Sequence, residues 1–350
     1  MKKVYKIIIA VLAVWVLILT IQVNNLSNQA NRNDENIVIE NQVNGFSTDL
    51  TDIAAKVQSS LVSIKNECNY ASGIIYSQKD DDVYVVTNYH AIEAGGLIQV
   101  ILDNIMIFQA EVVGFDTRTD VAVLKIKCQF KVTPIKLGDS SILKAGEYVV
   151  AFGNPLGVDY RGSLSFGIIS SNQRIIDERV QDQIYYLNMI QSDVTLNDGN
   201  SGGPLCNQKG EMVGLNTLSV TTKDAQGLSF SLPVNEMRLV VEEIIENGIA
   251  SKVNLGLKVV EVSKMLNYQK NNLGIGLDVA KGLYVTGVLN DFIGNYIGIK
   301  EGDIILSLND TQTNTLDEYI QAEYEASEEI KVHVLRKGEE LTFTGAISND

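Results

Sequence analysis

Gly199-Asn200-Ser201-Gly202-Gly203-Pro204-Leu205 is the stretch whose reading decides the fold. It sets one hydroxyl among glycines, with a proline just beyond. Glycine adopts backbone angles that other residues resist, so such a stretch turns tightly and aims its N–H groups at one point. A serine beside two such N–H groups has a nucleophile and a place to stabilise charge on a substrate oxygen. The same seven residues also read as a plain glycine-rich turn. The rest of the chain has to choose.

A nucleophilic serine needs a base, and the base needs a carboxylate to orient it. The chain holds two histidines, His90 and His333. His90 follows the strand-like run Val83–Asn88 and opens a loop, where a side chain is held firmly yet faces a cleft. His333 lies mid-strand in Lys331-Val332-His333-Val334-Leu335, where alternation turns it to solvent beside Lys331. Nine aspartates separate His90 from Ser201. Asp120 is the best placed, opening the apolar strand Val121-Ala122-Val123-Leu124-Lys125-Ile126, and Asp116 is its nearest rival.

Gly199-Asn200-Ser201-Gly202-Gly203 also fits the G-x-S-x-G elbow of α/β-hydrolases. That fold puts a helix directly after the serine and runs in the order serine, acid, histidine. Here Pro204, Gly210 and Gly214 follow in a turn-then-strand pattern, and the only later histidine is His333. The order His90, Asp120, Ser201 is instead that of chymotrypsin-like double β-barrels.

Composition narrows the alternatives. A formal charge of −15 argues against nucleic acid or an anionic membrane surface as a bulk electrostatic partner. Two histidines and three scattered cysteines, Cys68, Cys128 and Cys206, give no zinc site and no disulfide scaffold, and no metal or organic cofactor is indicated. One Cys68–Cys128 disulfide and free, partly buried thiols are both open. Cys206 lacks flanking glycines and reads as a small core residue rather than a nucleophile.

Lys2, Lys3 and Lys6 precede an uncharged apolar run from Ile7 to Ile21. Val4 to Val23 approaches the ~20 residues that span a bilayer, and no A-x-A cleavage pattern follows. Residues 1–23 therefore read as an uncleaved transmembrane anchor, with the lysines cytoplasmic and the remainder outside. Residues 24–48, rich in Asn, Gln and Ser, read as a flexible tether. Asp49 to Leu61 places Leu50, Ile53, Ala54, Val57 and Leu61 on one helical face.

Short β-rich runs come next: Leu61–Ile64, Gly73–Tyr76, Val83–Thr87, Ile98–Leu102, Ala110–Phe115, Val121–Ile126, Tyr148–Phe152 and Gly167–Ser170. This spacing, almost without helix, predicts an all-β barrel or sandwich through residue 234. A linker helix over 235–250 follows, capped by Asn235, with Met237, Val240, Val241, Ile244 and Ile245 on its apolar face and Gly248 at its C-cap. Residues 251–350 form a separate small α+β module with one longer helix, Leu316–Tyr324.

Six motifs in this order resemble the HtrA (Deg, or Do-like) family of serine proteases. They are Thr87-Asn88-Tyr89-His90, Asp120–Lys125, Gly153-Asn154-Pro155-Leu156-Gly157, Gly167–Ser170, Ile190–Asp193 and Gly199–Leu205. The resemblance covers residues 49–346. It implies a mainly β protein, with a chymotrypsin-like double β-barrel protease domain over 49–234 and a PDZ domain over 251–350. It implies His90 as general base, Asp120 as its orienter, Ser201 as nucleophile, and the N–H groups of Gly199 and Ser201 as the oxyanion hole. Asn254-Leu255-Gly256-Leu257 resembles the PDZ loop that grips a peptide's C-terminal carboxylate, and Gly282–Val285 and Ile299–Ile305 match other PDZ landmarks.

The implied function is ATP-independent cleavage of unfolded or damaged extracytoplasmic proteins by a membrane-anchored homotrimer. A regulatory protease with one specific membrane substrate, or a chaperone with a silent triad, are the rival readings. Asp198 stands where the family usually has a proline or similar residue before Gly199. Asn200 replaces the aspartate that pairs with a new N-terminus in digestive enzymes, which points to activation by loop ordering. Thr195, where trypsin-like enzymes place an acid at the pocket base, implies a medium apolar P1 residue.

Overall fold

The apolar run after Asp120 becomes a strand buried on both faces. Of Val121–Lys127, Val121 and Val123 join one core cluster, while Ala122, Leu124 and Ile126 join another. This is the period of two expected of a strand, with both faces covered. A computed structural model describes residues 19–22, 50–67, 69–103, 105–154, 160–180, 182–197, 199–222, 225–250, 253–326 and 328–347. Residues 50–350 form one compact unit.

After helix α1 (Leu50–Gln58) come strands β1 (Leu61–Lys65), β2 (Tyr70–Lys79), β3 (Asp82–Asn88), β4 (Gln99–Leu102), β5 (Met106–Gln109), β6 (Glu111–Asp116) and β7 (Val121–Lys127). They form one sheet in the order β5-β4-β1-β2-β3-β7-β6. Its edges, β5 and β6, are joined by Ala110 alone, so the sheet bends round on itself without a closing ladder between them. The expected first barrel is thus a curled sheet. The second set does close, in the order β10-β13-β12-β11-β8-β9. Its members are β8 (Tyr148–Gly153), β9 (Ser163–Val180), β10 (Gln183–Ser192), β11 (Pro204–Cys206), β12 (Met212–Thr222) and β13 (Ala225–Pro233).

Strand β8 shows how the two layers share residues. Val149 and Ala151 face the closed barrel's interior, while Val150 and Phe152 face the cluster between the sheets. Helix α2 (Val234–Asn247) lays Met237, Val240, Val241 and Ile244 on that same cluster, beside Ile53 and Val57 of α1. Gly248 ends α2 with φ +78° and donates its N–H to the Ile244 carbonyl at 2.8 Å, as expected. Asn235 does not cap the helix start. It lies inside the first turn, donating its own N–H to Ser140 Oγ (3.2 Å) and its side-chain Nδ2 to Asp139 Oδ1 (2.9 Å). The capping position falls to Pro233, which has no side-chain oxygen to offer.

The third sheet has the order β14-β15-β16-β18-β19, with β17 paired to β16. Its strands are β14 (Leu257–Glu261), β15 (Leu283–Val288), β16 (Ile304–Leu308), β17 (Thr311–Gln312), β18 (Glu329–Arg336) and β19 (Glu339–Ala346). Helix α5 (Leu316–Glu325) packs over it, and two short helices, α3 (Asn267–Asn272) and α4 (Ile293–Tyr296), were not expected from the sequence. Buried Asp303 is clamped by both arms of Arg336, at 2.6 and 2.7 Å. His333 lies on the outer face, as alternation predicts, bonded to Thr342 and Glu340.

The anchor expected over residues 1–23 lies almost wholly outside the described residues, as do the tether and Cys68. Among the described residues no helix is long and apolar enough to cross a membrane. Cys128 and Cys206 are free and buried, and burial pushes the Cys206 thiol up.

Candidate active site

His90 and Asp120 meet because β3 and β7 are paired neighbours, with Asn88 opposite Val121. Both residues therefore emerge from the same end of one ladder. Asp120 sits in a left-handed conformation, φ +57°, which aspartate tolerates better than most residues. The turn before it is tied by Asp116, which accepts bonds from the Arg118 N–H (3.1 Å) and the Thr119 hydroxyl (2.7 Å). The rival carboxylate thus shapes the turn, and Asp120 meets the histidine.

The contact is double. Asp120 Oδ1 accepts the His90 backbone N–H at 2.9 Å, and Oδ2 lies 2.7 Å from the imidazole Nδ1. Holding both groups of one residue fixes the ring plane and leaves Nε2 facing outward. The Asp120 backbone carbonyl accepts from the Tyr89 N–H (3.0 Å) and from Asn88 Nδ2 (2.8 Å). The hydrogen bond that the imidazole gives Asp120 holds its pKa above the ordinary value; burial opposes this, and the charges of Asp120 and Glu93 reinforce it.

Ser201 follows Asn200 in a loop braced by main-chain bonds. Gly202 N–H donates to the Asn216 carbonyl (2.9 Å), Gly203 N–H to the Asn200 carbonyl (3.0 Å), and Asn216 N–H to the Gly203 carbonyl (2.9 Å). Gly202 has φ +81°, and a Cβ there would collide with the Ser72 carbonyl and the Thr87 hydroxyl, so no other residue fits. Ser201 Oγ points to the Thr217 carbonyl at 3.4 Å, and no bond joins it to His90. The Ser201 N–H has no acceptor among the described residues, as a donor kept for a substrate oxygen would have none.

Gly199 has φ +93°, and the Asn200 N–H closes back on the Asn197 carbonyl at 2.9 Å. A positive angle at the third position of such a turn excludes type I, which would need about −90° there. Asp198 itself lies outside the described residues, as do Pro155, Leu156 and Gly157 of the third motif. Thr195 is exposed and takes the Ser165 hydroxyl on its carbonyl at 2.8 Å. Asn200 is buried against Gly153, where a Cβ would strike its carboxamide.

Leu255 and Gly256 of the C-terminal loop already have partners. The Leu255 N–H donates to Glu323 Oε1 at 3.1 Å, and the Gly256 N–H donates to Asn254 Oδ1 at 2.8 Å. Glu323 comes from α5 and is buried. Leu257 and Val259 of edge strand β14 face Tyr319 and Ile320 of α5 across a cavity of about 30 Å³, with Ile175 and Arg118 among its walls. That volume suits a water molecule rather than a peptide.

Residues 71–215 match the trypsin-like peptidase domain, and residues 254–335 match the PDZ domain. The chain is 31% identical over 305 residues to the serine protease Do-like HtrA of Bacillus subtilis (strain 168), an alignment covering 84% of this chain and 68% of that one. It belongs to the HtrA family of serine proteases. The Do-like HtrB protease of the same organism is 35% identical over 282 residues, 79% of this chain and 62% of HtrB, so under two thirds of that relative is spanned. Among solved structures, the HtrA-type protease AlgW with tripeptide superposes with a TM-score of 0.63 at 27% identity, covering 86% of this chain and 98% of that one.

Two side chains at these HtrA-family sites escaped the sequence reading. Ser72 on β2 touches the Ser201 loop, and Glu323 on α5 touches the PDZ loop. Neither residue type is rare, and neither sits in a distinctive local pattern.

Proposed function

We propose that this HtrA-family chain is a membrane-anchored, ATP-independent serine endopeptidase that cleaves unfolded or damaged proteins on the extracytoplasmic side. His90 acts as general base, Asp120 orients it, and Ser201 is the nucleophile. The observation that carries this reading is the pair of hydrogen bonds that Asp120 accepts from the His90 N–H and Nδ1. It fixes the tautomer that leaves Nε2 free to take the Ser201 proton. In this reading Oγ leaves the Thr217 carbonyl and turns to Nε2 when substrate binds, a tightening that resting enzymes commonly leave to substrate. The alkoxide attacks the scissile carbonyl, the N–H groups of Gly199 and Ser201 receive the oxyanion, and His90 returns its proton to the leaving amine. Water then repeats the sequence on the acyl-enzyme. The unclaimed Ser201 N–H supports its part in the hole.

Asn254–Leu257 receives chain ends in this reading, and the Lys2–Lys6 and Ile7–Ile21 pattern supports the anchor. A homotrimer rests on family likeness, and sedimentation of the fragment from Leu50 onward tests it. Fluorophosphonate labelling tests the chemistry. Wild type should label and Ser201→Ala should not; an unlabelled wild type, even with a denatured protein present, leaves a binding protein in place of a protease.

A further inference from the structure

Ser72 is wholly buried on β2 and holds the nucleophile loop by two bonds. Its N–H donates to the Ser201 carbonyl at 3.0 Å, and its hydroxyl donates to the Gly199 carbonyl at 2.5 Å. The same hydroxyl accepts the Asn154 N–H at 2.8 Å, and the Ser72 carbonyl accepts the Thr87 hydroxyl at 2.7 Å. Asn154, itself buried, is fixed by the Val62 carbonyl and the Ser63 hydroxyl, both at 2.9 Å, and accepts the Gly162 N–H at 2.9 Å.

We infer that Ser72 is a positioning residue for peptide hydrolysis, pinning the carbonyls of Gly199 and Ser201 and so fixing where the oxyanion donors stand. This rests on the proteolytic reading above. Glycine lets a loop move as readily as it lets it turn, and the local restraint across Gly199 is the turn bond from the Asn200 N–H to the Asn197 carbonyl. Ser72 adds a restraint from outside the loop, on the first sheet. The two proposed donors, the N–H groups of Gly199 and Ser201, belong to the segment whose end carbonyls Ser72 holds. A hydroxyl is required because one atom must donate to a carbonyl and accept from an N–H. Alanine would keep the main-chain bond to Ser201 and strand both the Gly199 carbonyl and the Asn154 N–H.

Removing an oxyanion donor outright costs 10²–10³ in kcat, so letting one drift should cost about 10- to 100-fold. In full-length protein, Ser72→Ala should lower kcat by that factor, with KM changed by less than about threefold. Fluorophosphonate labelling should slow in parallel, and amide hydrogen exchange over 199–203 should quicken. Ser140→Ala, which removes another buried hydroxyl, one bonded to Asn235 and not to this loop, should leave all three readouts near wild type.

The inference is overturned if folded Ser72→Ala keeps wild-type kcat and exchange, or if Ser140→Ala loses as much. Should Ser72→Ala not fold, Ser72→Cys decides, since a thiol is similar in shape and a weaker donor. An intermediate rate supports the role, and an unchanged rate removes it. A wild type that never labels defeats the proteolytic reading, while the exchange comparison still judges whether Ser72 holds the loop.

Discussion

Asp120 engages His90 twice from a left-handed backbone position that the Asp116–Thr119 turn sets up. Because that contact raises the imidazole pKa above 6.5, kcat/KM should climb with pH to a midpoint above that value. Asp120→Asn should lower the midpoint and cut kcat by about 10⁴, since an amide favours the wrong tautomer. A pH–rate profile of both proteins checks this, and an unmoved midpoint would count against the pairing. The stability sign follows from the same shift. A folded-state pKa raised above the unfolded one stabilises fully below the unfolded value and loses that contribution as pH rises through the folded one. Melting curves of wild type and His90→Gln from pH 5 to 9 should therefore converge at the alkaline end. Iodoacetamide should spare Cys206 in the native protein, where burial raises the thiol, and reach it only on unfolding. The pairing of His90 with Asp120 was legible because histidine is scarce here and chain order restricts its partners. Ser72 and Glu323 were not, because each bonds across 127 and 68 residues of sequence and neither type is unusual.

Helix α2 was readable from its apolar spacing, since burial of Met237, Val240, Val241 and Ile244 follows the helical period. Met237→Ala should cost about 2–5 kcal/mol, measured by denaturant unfolding. Its start was misread because the capping oxygen is not local: Ser140 lies 95 residues before Asn235 and takes its N–H. Ser140→Ala should therefore cost about 0.5–2 kcal/mol while leaving the active site intact. The hairpin β9–β10 was the larger omission. Only Gly167–Ser170 read as strand, yet the pairing runs from Ile169–Ser192 out to Val180–Gln183. Ser171-Asn172-Gln173-Arg174 and Asp177-Glu178-Arg179 are polar on both faces, so alternation carries no signal there. Gln173 and Asp177 find partners in the PDZ domain.

Across the whole unit, that hairpin leans on the PDZ domain. Lys258 meets Asp177 at 2.7 Å, Gln173 Nε2 donates to Glu261 Oε1 at 3.0 Å, and Tyr185 packs edge-on against Phe292. Ile175 and Leu239 reach the PDZ core from the barrel side. Arg118, two residues before Asp120, donates to the Tyr324 hydroxyl of α5 at 3.2 Å. None of this was legible, because no sequence pattern reports which faces two domains turn to each other. If Asn254–Leu257 receives chain ends, Glu323→Ala should bind a peptide with a free C-terminal carboxylate at least about tenfold tighter than wild type, by fluorescence anisotropy. The C-terminal amide should gain nothing, and an equal gain for both peptides would point to general loosening instead. Glu323 gives this domain a property that a vacant pocket lacks. In the proposed reading a chain end entering here replaces one carboxylate with another, so its apparent affinity is the intrinsic one scaled by the fraction of molecules whose loop is open. At an open fraction of about 1%, half-occupancy needs a hundredfold more ends. In that reading the domain stays largely empty while chain ends are dilute and fills as they accumulate.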